Sequence, residues 1–220
     1  VNIYFAFFYI MLGIECLILI PFTLNYRLLD KAGKWAYYYL VASIVYAAGS
    51  VIIARLFHNN LWFLSIMHLI QFVVLSIYYY LLIKAPLIKK VIKILLFPAV
   101  IIFFLDLLKL EGVMTYNSIF ASIRAFLLLG YGILFFIQLL FDEHLVKESI
   151  FINTLPNFWF NAGLFIFFSC SFFQSLTYNF FLKHSVGDNN LVIPSLVFTS
   201  GIIEGILFYI GLLKAKRQYT

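Results

Sequence analysis

Polar and turn-forming residues interrupt this chain at long intervals. Between them it runs almost without a break in apolar side chains. Seven such runs can be marked, roughly 3–24, 36–57, 61–83, 91–108, 116–141, 158–182 and 191–213. Each is near the ~20 residues a helix needs to cross a hydrocarbon core of ~30 Å. The runs are continuous rather than alternating, so they predict helices and exclude the strands of a β-barrel. Pro156, in the stretch Asn153-Thr-Leu-Pro-Asn157, predicts a helix entry, because proline fits the first helical turn. The expected fold is all-α: one integral membrane bundle of seven transmembrane helices over residues 1–220.

Composition agrees. The chain is 65% hydrophobic and 11% charged, against roughly half and a quarter for a soluble domain. Its 27 Phe and 15 Tyr exceed what a soluble core of this length can hide. The first run is too long for a signal peptide and has no charged leader, so it is expected to be a true first span. Cys16 and Cys170 fall inside apolar runs without a CxxC spacing, so they are expected to be packing residues rather than a disulfide.

Lysine and arginine set the expected orientation. Eleven share one side: Arg27, Lys31, Lys34, Lys84, Lys89, Lys90, Lys93, Lys147, Lys214, Lys216 and Arg217. Three, Arg55, Lys109 and Lys183, fall on the other. The asymmetry predicts an N-terminus outside and a C-terminus in the cytoplasm. It also accounts for the net charge of +6 as attraction to an anionic inner leaflet. The lipid bilayer is the expected partner, and nucleic acid is not needed.

Small residues are expected to bring helices close. Ser43, Ala47, Ser50 and Ala54 form a stripe on the second span, and Gly201-Ile-Ile-Glu-Gly205 is a GxxxG on the seventh.

Ionisable groups in hydrocarbon cost a few kcal/mol or more, which makes each a functional candidate. They fall at two depths. Nearer the outside are Arg55, His68, Gln71, Asp106, Asn117 and Arg124, with Gln174 and Tyr178 on the sixth span. Arg124 lies about 8–12 Å inside its helix end at ~1.5 Å per residue. Ser65, His68 and Gln71 share one helical face, as do Asn117 and Arg124. These positions predict an outward-facing polar pocket for a small anionic or zwitterionic ligand, held by Arg124 with His68 and Gln71 as partners. Two other readings stand beside it: arginines snorkelling to lipid phosphates, and a structural Asp106–Arg124 ion pair. The deeper layer is Glu15 and Glu204, each about 18–20 Å from its outer helix end. With no lysine or arginine at that depth, the two are expected to be protonated, hydrogen-bonded or bound to a cation. They are candidates for a proton or cation site, or for a packed pair of acids.

Several chemistries are missing. There is no HExxH, no ExxH and no mid-span lysine on the seventh span for a retinal Schiff base. His68 is the one clearly intramembrane histidine, which argues against bis-histidine haem. His58, His68, His184 and Asp106 have no zinc-site spacing. The HxxxH of seven-helix ceramidase-type hydrolases is also missing, and no pattern assembles a hydrolase triad. No cofactor, metal site or catalytic residue is expected.

One stretch is familiar. "LPNFWFNAGLFIFFSCSFF" at 155–173 resembles the penultimate span of a group of bacterial seven-helix proteins. "NNLWFLSIMHLIQFVVLSIYYY" and "GILFYIGLLKAKR" are similar to that group too. Some of its members look like the membrane part of sensor histidine kinases. The resemblance covers most of the chain as a layout and implies a sensory or signalling domain. It carries over no ligand or catalytic residue. The chain ends at Thr220 with no phosphoacceptor domain, so a signal is expected to pass to a membrane or cytoplasmic partner. Three readings follow: a receptor-like sensor, a proton- or cation-coupled transporter or accessory subunit of a membrane complex, and an intramembrane lipid-modifying enzyme.

Overall fold

The computed structural model describes residues 3–113, 115–142, 151–184 and 192–217, with side chains left out at 3–5, 178–184 and 192–194. All the regular structure among the described residues is helical. Seven helices are long and apolar enough to cross a membrane, as an integral membrane protein requires. They are α1 (Ile3–Leu24), α2 (Lys31–Phe57), α3 (Leu61–Leu82), α4 (Pro86–Leu105), α5 (Ser118–Leu140), α6 (Pro156–His184) and α7 (Val192–Arg217).

The ends of the helices follow capping chemistry more than hydropathy. Helix α2 begins at Lys31, ahead of the apolar run that opens at 36, because the Asp30 side chain accepts the Gly33 N–H at 2.6 Å. Helix α4 begins with Pro86 in its first turn and continues into a π-helical turn, Asp106–Leu110. Helix α2 ends at His58, in the left-handed region at φ 59°, whose N–H returns to the Ala54 carbonyl. Helix α7 carries Lys214, Lys216 and Arg217 in its last turn, beyond the predicted end of the run.

The helices close into a ring. Neighbours pack as α1 on α2, α2 on α3, α3 on α5, α5 on α6, α6 on α7 and α7 on α1. Helix α4 stands outside, against α3 and α5, and α2 also reaches across to α6. Glycines set the closest approaches. A side chain on Gly201 would strike Met11, and one on Gly205 would meet Ile14 and Ile18, so the GxxxG face of α7 seats α1. On α2, Gly49 receives the ring of Phe63 from α3. Phe22, Phe160 and Phe208 meet at centroid distances of 5.3–6.2 Å and join α1, α6 and α7. Phe120 packs edge-on against Phe72 and Phe103, joining α5 to α3 and α4. Leu17, Leu24, Phe97 and Phe126 point outward with many other large apolar side chains, as contact with lipid requires. Cys16 is also on the outside, and Cys170 is half-buried. Both are free and form no disulfide, as expected, but Cys16 faces outward and does not pack in the core.

Candidate functional site: two buried polar clusters

The first cluster surrounds Arg124. It sits on the inner face of α5 and is 4% exposed. Its Nη1 donates to Gln71 Oε1 at 2.9 Å, and the guanidinium lies 5.4 Å over the ring of Phe168. His68 is stacked on Tyr46 at 5.3 Å and meets the Tyr116 ring edge-on at 6.0 Å. The Tyr116 hydroxyl in turn shares a 3.3 Å hydrogen bond with Ser175. No carboxylate lies within ion-pair distance of Arg124 among the described residues, and its Nε has no hydrogen-bond partner. A guanidinium taken out of water is stabilised only when its charge and donors are met. One amide oxygen and one aromatic face meet them in part.

The predicted outer set divides. Arg124, His68 and Gln71 come together, with Asn117 buried at the start of the same helix and both of its side-chain polar atoms unpartnered. These side chains are sealed inside the bundle rather than lining an open mouth. Gln174 is half-buried, and the side chain of Tyr178 lies outside the described residues. Arg55 is exposed and lines a separate groove with Tyr9 and Asn60, so it does not join Arg124.

Asp106 does not pair with Arg124 either. It is fully buried, and its Oδ2 accepts the Phe120 N–H at 2.9 Å. Its carbonyl accepts the N–H groups of Glu111 and Gly112. Glu111 binds the N–H and hydroxyl of Ser118. Two carboxylates from the α4–α5 connection therefore cap the start of α5, where four backbone donors lack helical partners. Asp106 holds in place the helix that carries Arg124 and does not neutralise it.

The second cluster lies on the α1–α2–α7 side. Ser43 donates to Glu15 Oε1 at 2.8 Å. Glu15 and Glu204 are both buried and line one cavity of about 10 Å³ with Tyr39, Ser43, Gly201 and Gly205. Glu15 Oε2, Glu204 Oε1 and the Tyr39 hydroxyl have no hydrogen-bond partner. Tyr39 faces Glu204 and stops short of good hydrogen-bond geometry. The predicted deep pair is thus one site, because α7 closes the ring onto α1.

Tyr39 connects the clusters. Its ring is 6.4 Å from Phe168, the ring that carries Arg124. Tyr39, Ser43 and Tyr46 recur at i, i+4 and i+7 on one face of α2, so one helix touches both sites. Below them, the Tyr79 hydroxyl donates to Asn161 Oδ1 at 2.9 Å, and Asn161 Nδ2 donates to the Gly132 carbonyl at 3.2 Å. At the lysine-rich end, Asn157 donates to Asp30 at 2.8 Å, and Lys84 pairs with Asp142 at 2.6 Å. A cavity of about 280 Å³ opens between these residues.

Sequence reading missed Tyr39, Tyr46, Tyr79 and Asn161. The signals were the helical spacing of the α2 hydroxyls and the asparagine at 161, flanked by aromatic and small residues. His58 caps a helix, the side chain of His184 lies outside the described residues, and no group of three or more metal-binding side chains occurs among the described residues. No protein-family model, curated protein or solved structure matches this chain.

Proposed function

We propose that this chain is a receptor-like membrane protein of a bacterial inner membrane, with its N-terminus outside and its C-terminus in the cytoplasm. In this reading Arg124 binds a small anionic or zwitterionic ligand, and the state of the bundle is read by a membrane or cytoplasmic signalling partner at the lysine-rich end. The observation that supports it is the buried, unneutralised guanidinium of Arg124. An anion supplies the missing charge and occupies the unpartnered Nε. Phe168 and Tyr39 then link an occupied Arg124 to the α1–α2–α7 contacts.

The test is thermal unfolding of the full chain in detergent against potassium phosphate, sulfate, acetate and glycine at constant ionic strength. A ligand of the right class raises the unfolding temperature of the wild type and leaves Arg124→Gln unmoved. Equal responses in both proteins sink the anion site.

The second reading is a proton- or cation-coupled transporter or an accessory subunit of a membrane complex. The cavity shared by Glu15 and Glu204 favours it. Coupled flux into vesicles that is lost in Glu204→Gln tests it.

A further inference from the structure

We propose that the cavity between Glu15 and Glu204 binds one dehydrated sodium ion. Two buried carboxyl groups alone would be an acidic pair and nothing more. What points to a ligand is the third group: the Tyr39 hydroxyl is 2% exposed as a residue, aims into the same cavity and has no hydrogen-bond partner. Glu15 Oε2 and Glu204 Oε1 are open in the same way. Three unsatisfied oxygens from three helices therefore face one space.

The size and chemistry of that space select the occupant. At about 10 Å³ it is near the lower limit for a single water-sized particle. The lining donors are oxygens, which suit hard cations over soft ones. Calcium takes 6–8 oxygens, and magnesium keeps several of its waters. Neither has room here. Potassium is larger than sodium and is disfavoured by the same confinement. The Ser43 hydroxyl holds Glu15 Oε1 by donating to it, which leaves Oε2 to face the cavity. Gly201 and Gly205 bring α7 against Met11, Ile14 and Ile18 of α1, so the two carboxylates cannot drift apart while that seam is closed. Sodium with one proton leaves the pair neutral overall, which a low-dielectric interior requires.

The inference deepens the second reading above, and binding is separable from flux. The full chain is purified in detergent at fixed pH, and unfolding temperature is followed as sodium chloride replaces choline chloride at constant ionic strength. Lithium and potassium chloride serve as comparisons. The expected result is a saturable rise with sodium that potassium does not reproduce and Glu204→Gln abolishes. Tyr39→Phe keeps the ring in the core and removes one oxygen. Losing one of the few oxygens that can face the ion is expected to raise the half-maximal sodium concentration about tenfold, which is ~1.4 kcal/mol. A temperature that responds to pH alone, identically in sodium and choline, overturns the proposal and leaves a proton-sharing pair. So does an unchanged sodium response in Tyr39→Phe, which also decides the matter should Glu204→Gln fail to fold. Sodium binding without vesicle flux keeps the site and removes the transporter.

Discussion

Gly163 of α6 stands directly behind Glu204 of α7: a side chain at Gly163 would begin 3.1 Å from the Glu204 carbonyl oxygen and 3.2 Å from its Cα. Backbone cannot swing aside as a side chain can. Gly163→Val is therefore expected to destabilise the protein by about 1–3 kcal/mol, the usual range for overpacking, and to displace the Glu204 carboxyl. Gly13→Ala meets nothing within 4 Å. It is expected to be neutral or to stabilise by up to ~1 kcal/mol, because alanine is the better helix former. Unfolding both variants by titration into a denaturing detergent compares them on one scale.

Asn161 ties three helices, accepting from Tyr79 of α3 and donating to Gly132 of α5. Asn161→Leu leaves the buried Tyr79 hydroxyl unpaired and removes the extra bond to the Gly132 carbonyl, at about 1–3 kcal/mol. Tyr79→Phe breaks one bond and leaves the other. It is expected to cost nearer the ~0.6 kcal/mol typical of a hydrogen bond between membrane helices. Equal losses in the same detergent titration would mean that the bond to Tyr79 carries the whole effect and the bond to Gly132 none of it.

Asp106→Asn and Asp106→Ala separate a helix cap from an ion pair. Asparagine still accepts the Phe120 N–H and is expected to match the wild type closely. Alanine is expected to lose about 0.5–2 kcal/mol, as at other N-terminal caps. A buried partner of Arg124 would behave differently, with asparagine also losing several kcal/mol. Thermal unfolding of the two variants distinguishes the cases.

The span pattern was legible because hydropathy alone dictates it: seven apolar runs, seven helices. The helix starts were less so. Lys31 and Pro86 lie outside the apolar runs, and the side chain of Asp30 and the ring of Pro86 begin the helices there. At the sites, sequence spacing placed His68 and Gln71 on one face of α3, and the chain's ring closure brought Glu15 to Glu204. The Asp106–Arg124 pair, one of the readings open at the sequence, does not form for a physical reason. Proximity of opposite charges suggests a pair, whereas the unpaired N–H groups at the start of α5 compete for the same carboxylate. Arg55 faces outward because it occupies the last turn of α2, beyond the helix contacts that seal Arg124.

At the lysine-rich end the side chain of Lys84 is 71% exposed, so its ion pair with Asp142 is expected to contribute less than ~1 kcal/mol and to fade with salt. Gln138 does more with no charge. It accepts the Lys84 N–H at 2.5 Å and donates to the Leu82 carbonyl at 3.4 Å, closing the end of α3. Gln138→Leu is expected to destabilise more than Lys84→Ala at every salt concentration, as read by thermal unfolding from low to high potassium chloride.

The seam between α1 and α7 joins two helices that the other five separate along the chain. Synthesis proceeds from the N-terminus at ~5–20 residues per second, so α1 waits on the order of ten seconds or more for its mate. During that interval Glu15 has Ser43 of α2 as its hydrogen-bonding companion, and the Glu204 half of the cavity does not yet exist. The nascent bundle is thus an open arc whose missing edge is the α7 position. Until α7 arrives, the face of α1 that meets Gly201 and Gly205, with Met11, Ile14 and Ile18, has no counterpart from that helix to pack against.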